Sequence, residues 1–144
     1  MCSPQGMAES PRPGVILIAE RDDNVRQLQR HFLERDGFAV SFCDDGVAAL
    51  DAARSTHPVL VVTEILIPKM DGLTLCRQLR ADAGTRDIPV IVFSILAAAA
   101  RAADAGASAY LRKPFVEATF LATVHGALRA SSPGQMEPQW ASMY

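Results

Sequence analysis

Four short apolar runs in this chain lead into side chains that can do chemistry. Val15-Ile16-Leu17-Ile18 leads to Glu20-Arg21-Asp22-Asp23, and Val59-Leu60-Val61-Val62 leads to Thr63-Glu64. Val90-Ile91-Val92-Phe93 leads to Ser94, and Ala109-Tyr110-Leu111 leads to Arg112-Lys113-Pro114. Carboxylates, a hydroxyl and an ammonium brought to one place would form charge-assisted hydrogen bonds. Core packing does not require such groups at these positions, so the question is what fold would bring them together.

The intervening stretches answer it. Asp22 or Asp23 can cap a helix that carries Val25, Leu28, Phe32 and Leu33 on one stripe and stops at Gly37. Phe38–Cys43 alternates like a strand. Asp45 caps a helix with Val47 and Leu50 inward, and Asp71 caps another bearing Leu75, Cys76 and Leu79. An Ala-rich helix is expected from about Leu96 to Ala105. A last helix, from about Val116 to Leu128, turns Phe120, Leu121, Val124 and Leu128 inward. Five strands alternating with five helices imply parallel pairing through right-handed crossovers. The predicted fold class is α/β: a flavodoxin-like, doubly wound, five-stranded parallel sheet, (βα)5. Ligands of such sheets sit beyond the carboxyl ends of the strands, which is where the polar residues fall.

The chain has 144 residues, about one domain. It is expected to divide into a tail over residues 1–13, a domain over 14–130 and a second tail over 131–144, because Pro, Gly and Ser crowd both ends. Trp140 and Tyr144 in the second tail could anchor on the domain or on another copy. A net charge of -2, with twelve Arg scattered among the 14 basic residues, gives no basic tract for nucleic acid. Three cysteines suit a reducing compartment rather than a disulfide framework. Cys43 and Cys76 read as packing residues, and His31, His57 and His125 show no metal-ligand spacing. No apolar run is long enough for a membrane span, and a cytoplasmic setting is expected.

Five motifs in order give the chain a family resemblance. They are Ile16-Leu17-Ile18-Ala19-Glu20-Arg21-Asp22, Pro68-Lys69-Met70-Asp71-Gly72, Ile88-Pro89-Val90-Ile91, Ala105-Gly106-Ala107 and Tyr110-Leu111-Arg112-Lys113-Pro114-Phe115. From about Val15 to Leu128 the chain resembles the receiver domain of two-component response regulators, which implies the strand order 2-1-3-4-5. In that family an acidic pair after the first strand and an Asp after the third hold magnesium, and the Asp accepts a phosphoryl group from a phosphohistidine. A Ser or Thr after the fourth strand and a Lys after the fifth then grip the phosphoryl group. The resemblance places Glu20 and Arg21 at the acidic pair and Glu64 at the phosphoacceptor. It places Ser94 and Lys113 at the phosphate contacts, Tyr110 at the aromatic switch and Pro114 after a peptide bond that is usually cis.

The chain departs from the pattern at the chemistry. A cation, Arg21, stands in the acidic pair, and Glu64 replaces Asp. Counting Glu20 and Glu64 against Arg21 and Lys113, the pocket balances without a metal. Glu20 and Glu64 are weak magnesium candidates at most, and no cofactor is expected. The longer Glu64 displaces the nucleophile by about 1 Å, a shift that can cost in-line attack on the order of 100-fold. Glu64 either reaches Lys113 and Ser94, partly imitating a phosphorylated acceptor, or pairs with Arg21 and props the loop. The stretch from Ser94 to Tyr110 is also about three residues shorter than is usual in the family.

The expected function is therefore a stand-alone receiver-like signalling module acting by protein–protein contact, without conventional aspartyl phosphorylation and without enzymatic activity. Its partner would be a histidine kinase or a downstream effector. A second copy could instead form a homodimer on the fourth and fifth helices. Neither nucleic acid nor membrane is an expected partner. One alternative is a phosphorylatable receiver with unusual acceptor chemistry. Another is a flavodoxin-like nucleotide-binding enzyme, which the acidic loop Glu20–Asp23 disfavours because it would repel a phosphate.

Overall fold

Strand and helix alternate along the whole described chain. The computed structural model describes residues 14–130. The expected tails over 1–13 and 131–144, with Trp140 and Tyr144, lie outside the described residues. The elements run β1 (Val15–Ala19), α1 (Asp23–Arg35), β2 (Ala39–Cys43), α2 (Gly46–Thr56) and β3 (Leu60–Glu64). They continue with α3 (Gly72–Ala81), β4 (Val90–Ser94), α4 (Ala99–Asp104), β5 (Ala109–Arg112) and α5 (Glu117–Ala130). All strand pairs are parallel, in the order β2-β1-β3-β4-β5. This is the flavodoxin-like topology.

Strand alternation sorts the core into two layers. Leu17, Ala19, Val61, Val90 and Val92 pack with Ala49, Leu50, Ala53, Leu75, Cys76, Leu79 and Ala102 of α2, α3 and α4. Ile16, Ile18, Leu60, Val62, Ile91 and Phe93 pack with Leu33, Phe120 and Val124 of α1 and α5. β3 and β4 are buried along their entire length, as befits central strands covered on both faces.

Asp22, Asp45 and Asp71 each accept hydrogen bonds from backbone N–H groups of the helix that follows. Three details differ from the periodicity reading. Leu28 and Val47, expected inward, are 42% and 41% exposed. In α1 the buried positions are Gln29 and Leu33, one turn apart. In α2 the inward stripe is Gly46, Ala49, Leu50 and Ala53, of which all but Leu50 are small and let the helix approach closely. A Cβ on Gly46 would lie 2.0 Å from the Met70 carbonyl oxygen. The third difference is α4, which spans only Ala99–Asp104 and has no side-chain cap. Ile95 to Ala98 are drawn into a loop fastened by Tyr110, as described below.

Candidate functional site

The carboxyl ends of β1, β3 and β5 bring three charged side chains together, and Ser94 ends β4, the strand between β3 and β5. Glu64 continues the alternation of Leu60 and Val62, and Glu20 that of Ile16 and Ile18. Lys113 continues that of Ala109 and Leu111. All three therefore leave the carboxyl edge of the sheet toward the same side. Arg21, the next residue after Glu20, is exposed.

The contacts follow from this. Lys113 Nζ lies 2.7 Å from Glu64 Oε1 and 3.0 Å from Glu20 Oε1. The second oxygen of each carboxylate accepts a backbone N–H: Glu20 Oε2 from Asp22 at 3.1 Å and Glu64 Oε2 from Leu66 at 3.1 Å. Ser94 adds a side-chain hydrogen bond to Glu64. Glu20, Glu64 and Ser94 are buried, and the Lys113 side chain is 15% exposed. Lys113 Nζ also lies 5.0 Å from the centre of the Phe93 ring, within range of a cation–π attraction.

Burial pushes the Glu64 carboxyl up, but the bonds from Lys113, Ser94 and the Leu66 N–H outweigh it and hold the group below the usual glutamate range. Burial likewise pulls the Lys113 ammonium down, while Glu64 and Glu20 lift it above its ordinary value. Both groups are charged at neutral pH.

Arg21 is exposed and makes no ion pair with any described residue. The expected pairing of Arg21 with Glu64, and its share in the charge balance, are thus corrected. Glu20, Glu64 and Lys113 sum to -1, and the two backbone N–H groups and the Ser94 hydroxyl offset the remainder. The guanidinium that does reach this corner is Arg26 of α1. Its Nε donates to the Glu20 carbonyl oxygen, and its terminal nitrogen donates to the Cys43 carbonyl oxygen at 3.2 Å and to the Asp44 carboxylate. The sequence reading missed Arg26. Its position one turn after the Asp22 cap was the available signal.

Gly72 shapes the floor of the site. A Cβ there would lie 2.2 Å from the Glu64 carbonyl oxygen, and the Gly72 N–H donates to the Ile65 carbonyl oxygen at 2.9 Å. The Asp71-Gly72 pair thus starts α3 directly against the Glu64 backbone.

Tyr110 turns inward over the loop that follows β4. Its hydroxyl donates to the Leu96 carbonyl oxygen and accepts from the Ala98 N–H at 3.4 Å. Leu96 N–H in turn donates to Ser94 Oγ at 3.2 Å. Hydrogen bonds thus run from Ser94 through Leu96 and Tyr110 to Ala98, just before α4. The Lys113-Pro114 peptide bond is cis. His57 closes α2 in a left-handed conformation, and His125 Nε2 lies 2.6 Å from Asp36 Oδ2. His31 is exposed. Burial pushes the Cys76 thiol up to about 11, so it is no nucleophile.

Comparison with known proteins agrees with this architecture. The chain is 36% identical over 126 residues to the response regulator MprA of Mycobacterium sp. (strain KMS), covering 85% of this chain and 54% of MprA. It therefore spans about half the length of the curated relatives it matches. Among solved structures, a putative response regulator from Chloroflexus aurantiacus superposes with a TM-score of 0.78 at 28% identity, over 81% of this chain and 98% of the other. The signal receiver domain of a signal transduction histidine kinase from Syntrophus aciditrophicus gives 0.77 at 30% identity, over 85% and 95%. Residues 16–125 match the response regulator receiver domain model, and the chain belongs to that family.

Proposed function

We propose that this receiver domain is set by its own side chains rather than by aspartyl phosphorylation, and that it signals through protein–protein contact. The observation that carries the reading is the 2.7 Å contact between Lys113 Nζ and Glu64 Oε1. The acceptor-equivalent carboxylate already holds the ammonium and the Ser94 hydroxyl that a phosphoryl group would recruit. Its remaining oxygen is held by the Leu66 N–H. A nucleophile so engaged and buried must shed charge-assisted bonds before it can attack, and each of those is stronger than a neutral hydrogen bond. The chain of bonds onward to Tyr110 holds the β4–α4 loop against the pocket with no added group.

In this reading the partner is a histidine kinase or a downstream effector that recognises the fixed surface. No helix of the described residues is long and apolar enough to cross a membrane. Intact-mass analysis after incubation with acetyl phosphate and magnesium tests the proposal. The native chain is expected to keep its mass, and an Arg21→Asp, Glu64→Asp double variant to gain one phosphoryl group. A phosphoryl adduct on the native chain overturns the reading in favour of a working receiver with an unusual acceptor.

A further inference from the structure

We infer that the Lys113 ammonium, held between Glu20 and Glu64, is the resident cation of this pocket, so that the folded domain does not take up magnesium there. The inference rests on the proposed reading of Glu64. Magnesium asks for near-octahedral oxygen ligands at roughly 2.0–2.1 Å and is usually held by carboxylates that can turn toward it. Here all four carboxylate oxygens of Glu20 and Glu64 are paired: two with Lys113, one with the Asp22 N–H and one with the Leu66 N–H. No group of three or more His, Cys, Asp and Glu side chains able to hold a metal occurs among the described residues. The position that would supply a third carboxylate is Arg21, which is exposed.

The geometry also separates two cations that the sequence leaves equivalent. Arg21 removes a ligand but occupies nothing, because it touches neither carboxylate. Lys113 occupies the space between both carboxylates, at 3.0 and 2.7 Å. An ion entering that space would have to displace an ammonium bonded to two buried carboxylates. Arg26 adds a further positive group behind Glu20, at its carbonyl oxygen. Restoring the missing carboxylate alone therefore leaves the locus filled, whereas removing the ammonium vacates it.

Titration calorimetry with magnesium chloride on the 144-residue chain tests this. The native chain and Arg21→Asp are expected to show no saturable heat. An Arg21→Asp, Lys113→Met double variant should bind magnesium at least tenfold more tightly than Arg21→Asp alone. Saturable binding by the native chain overturns the inference, as does equal affinity of Arg21→Asp and the double variant. If the double variant does not fold, manganese broadening of amide resonances in the native chain and in Arg21→Asp decides instead. Selective loss at residues 20–22 and 64–66 in either protein overturns the inference, and retention in both upholds it. Failure here is distinguishable from failure of the proposed function: metal bound without an acetyl phosphate adduct defeats only this inference, and an adduct without bound metal defeats only the other.

Discussion

Lys113 and Arg80 hold opposite edges of the same sheet by opposite means. At the carboxyl edge, Lys113 puts one compact ammonium between two buried carboxylates. At the amino edge, near the end of α3, Arg80 spreads its planar fork over uncharged acceptors. Nε donates to the Gly106 carbonyl oxygen at 2.8 Å. Nη1 donates to those of Arg86 and Ile88 at 2.8 and 2.6 Å, and Nη2 to Ser108 Oγ at 3.3 Å. The guanidinium thereby binds the loop before β4 to the loop before β5. A fork with five fixed donors suits several carbonyls at set angles, and a point charge suits two carboxylates that must share it. The first arrangement makes a rigid corner. The second concentrates charge where a receiver does its chemistry.

Truncating each cation should separate the two roles. Lys113→Met leaves Glu20 and Glu64 facing each other without their counter-ion, and breaking one member of a buried ion cluster costs about 3–5 kcal/mol. Urea unfolding at neutral pH checks this, and a loss under 1 kcal/mol would mean that the ammonium is not engaged in solution. Arg80→Ala strands partly buried carbonyls, an effect of about 2–3 kcal/mol for bonds to a charged donor. Arg80→Lys should recover only a minor part of it, because a lysine cannot span Gly106, Ile88 and Ser108 together. Full recovery by lysine would show that charge rather than the fork holds the corner.

Changing pH sharpens the contrast. The folded-state pKa of Glu64 is lowered, so its contribution is present above the ordinary glutamate value of 4.5 and is lost as pH falls through the folded value. That of Lys113 is raised, so its contribution is present below 10.5 and is lost as pH rises through the folded value. The carbonyl and hydroxyl oxygens that Arg80 binds belong to no carboxylate. The stability difference between native and Lys113→Met should shrink below pH 4.5, while that between native and Arg80→Ala stays flat from pH 4 to 8. Parallel curves for the two variants would refute the assignment of the carboxyl-edge cluster as an ion triad.

The contrast also explains what sequence could show. The five strands, the Asp caps and the convergence of Glu20, Glu64, Ser94 and Lys113 on one edge were legible, because apolar runs and position after a strand are local signals, while the strand order came with the family resemblance. Arg21 misled because residue type alone does not say whether a side chain past the end of a strand enters the pocket, and this one is exposed. Arg80 was invisible. Its partners are backbone atoms of Gly106, Arg86 and Ile88, which carry no mark in the sequence, and its place is settled only when two loops close. The short α4 was over-read for a similar reason. Alanine favours helix wherever it stands, but the Tyr110 hydroxyl claims Leu96 and Ala98 for the loop.

The smallest expected effect lies far from both cations. Gln29 faces inward from α1, is completely buried, and its amide nitrogen and oxygen have no hydrogen-bond partner among the described residues. Burying an unpaired amide costs about 1–3 kcal/mol on the mutational scale. Methionine has nearly the same length and flexibility but no polar atoms, so it can occupy the space without that penalty. Gln29→Met should therefore stabilise the domain by about 1 kcal/mol, seen as a higher urea midpoint with an unchanged slope. Because α1 also carries Arg26, whose guanidinium fixes the Glu20 carbonyl, the substitution asks whether the helix or the triad organises the carboxyl edge. If the helix only supports the pocket, Gln29→Met and Lys113→Met should add, since sites without shared partners do so within about 0.5 kcal/mol. A larger coupling between them would tie the buried amide to the charge cluster, and Lys113 could no longer be treated as acting alone.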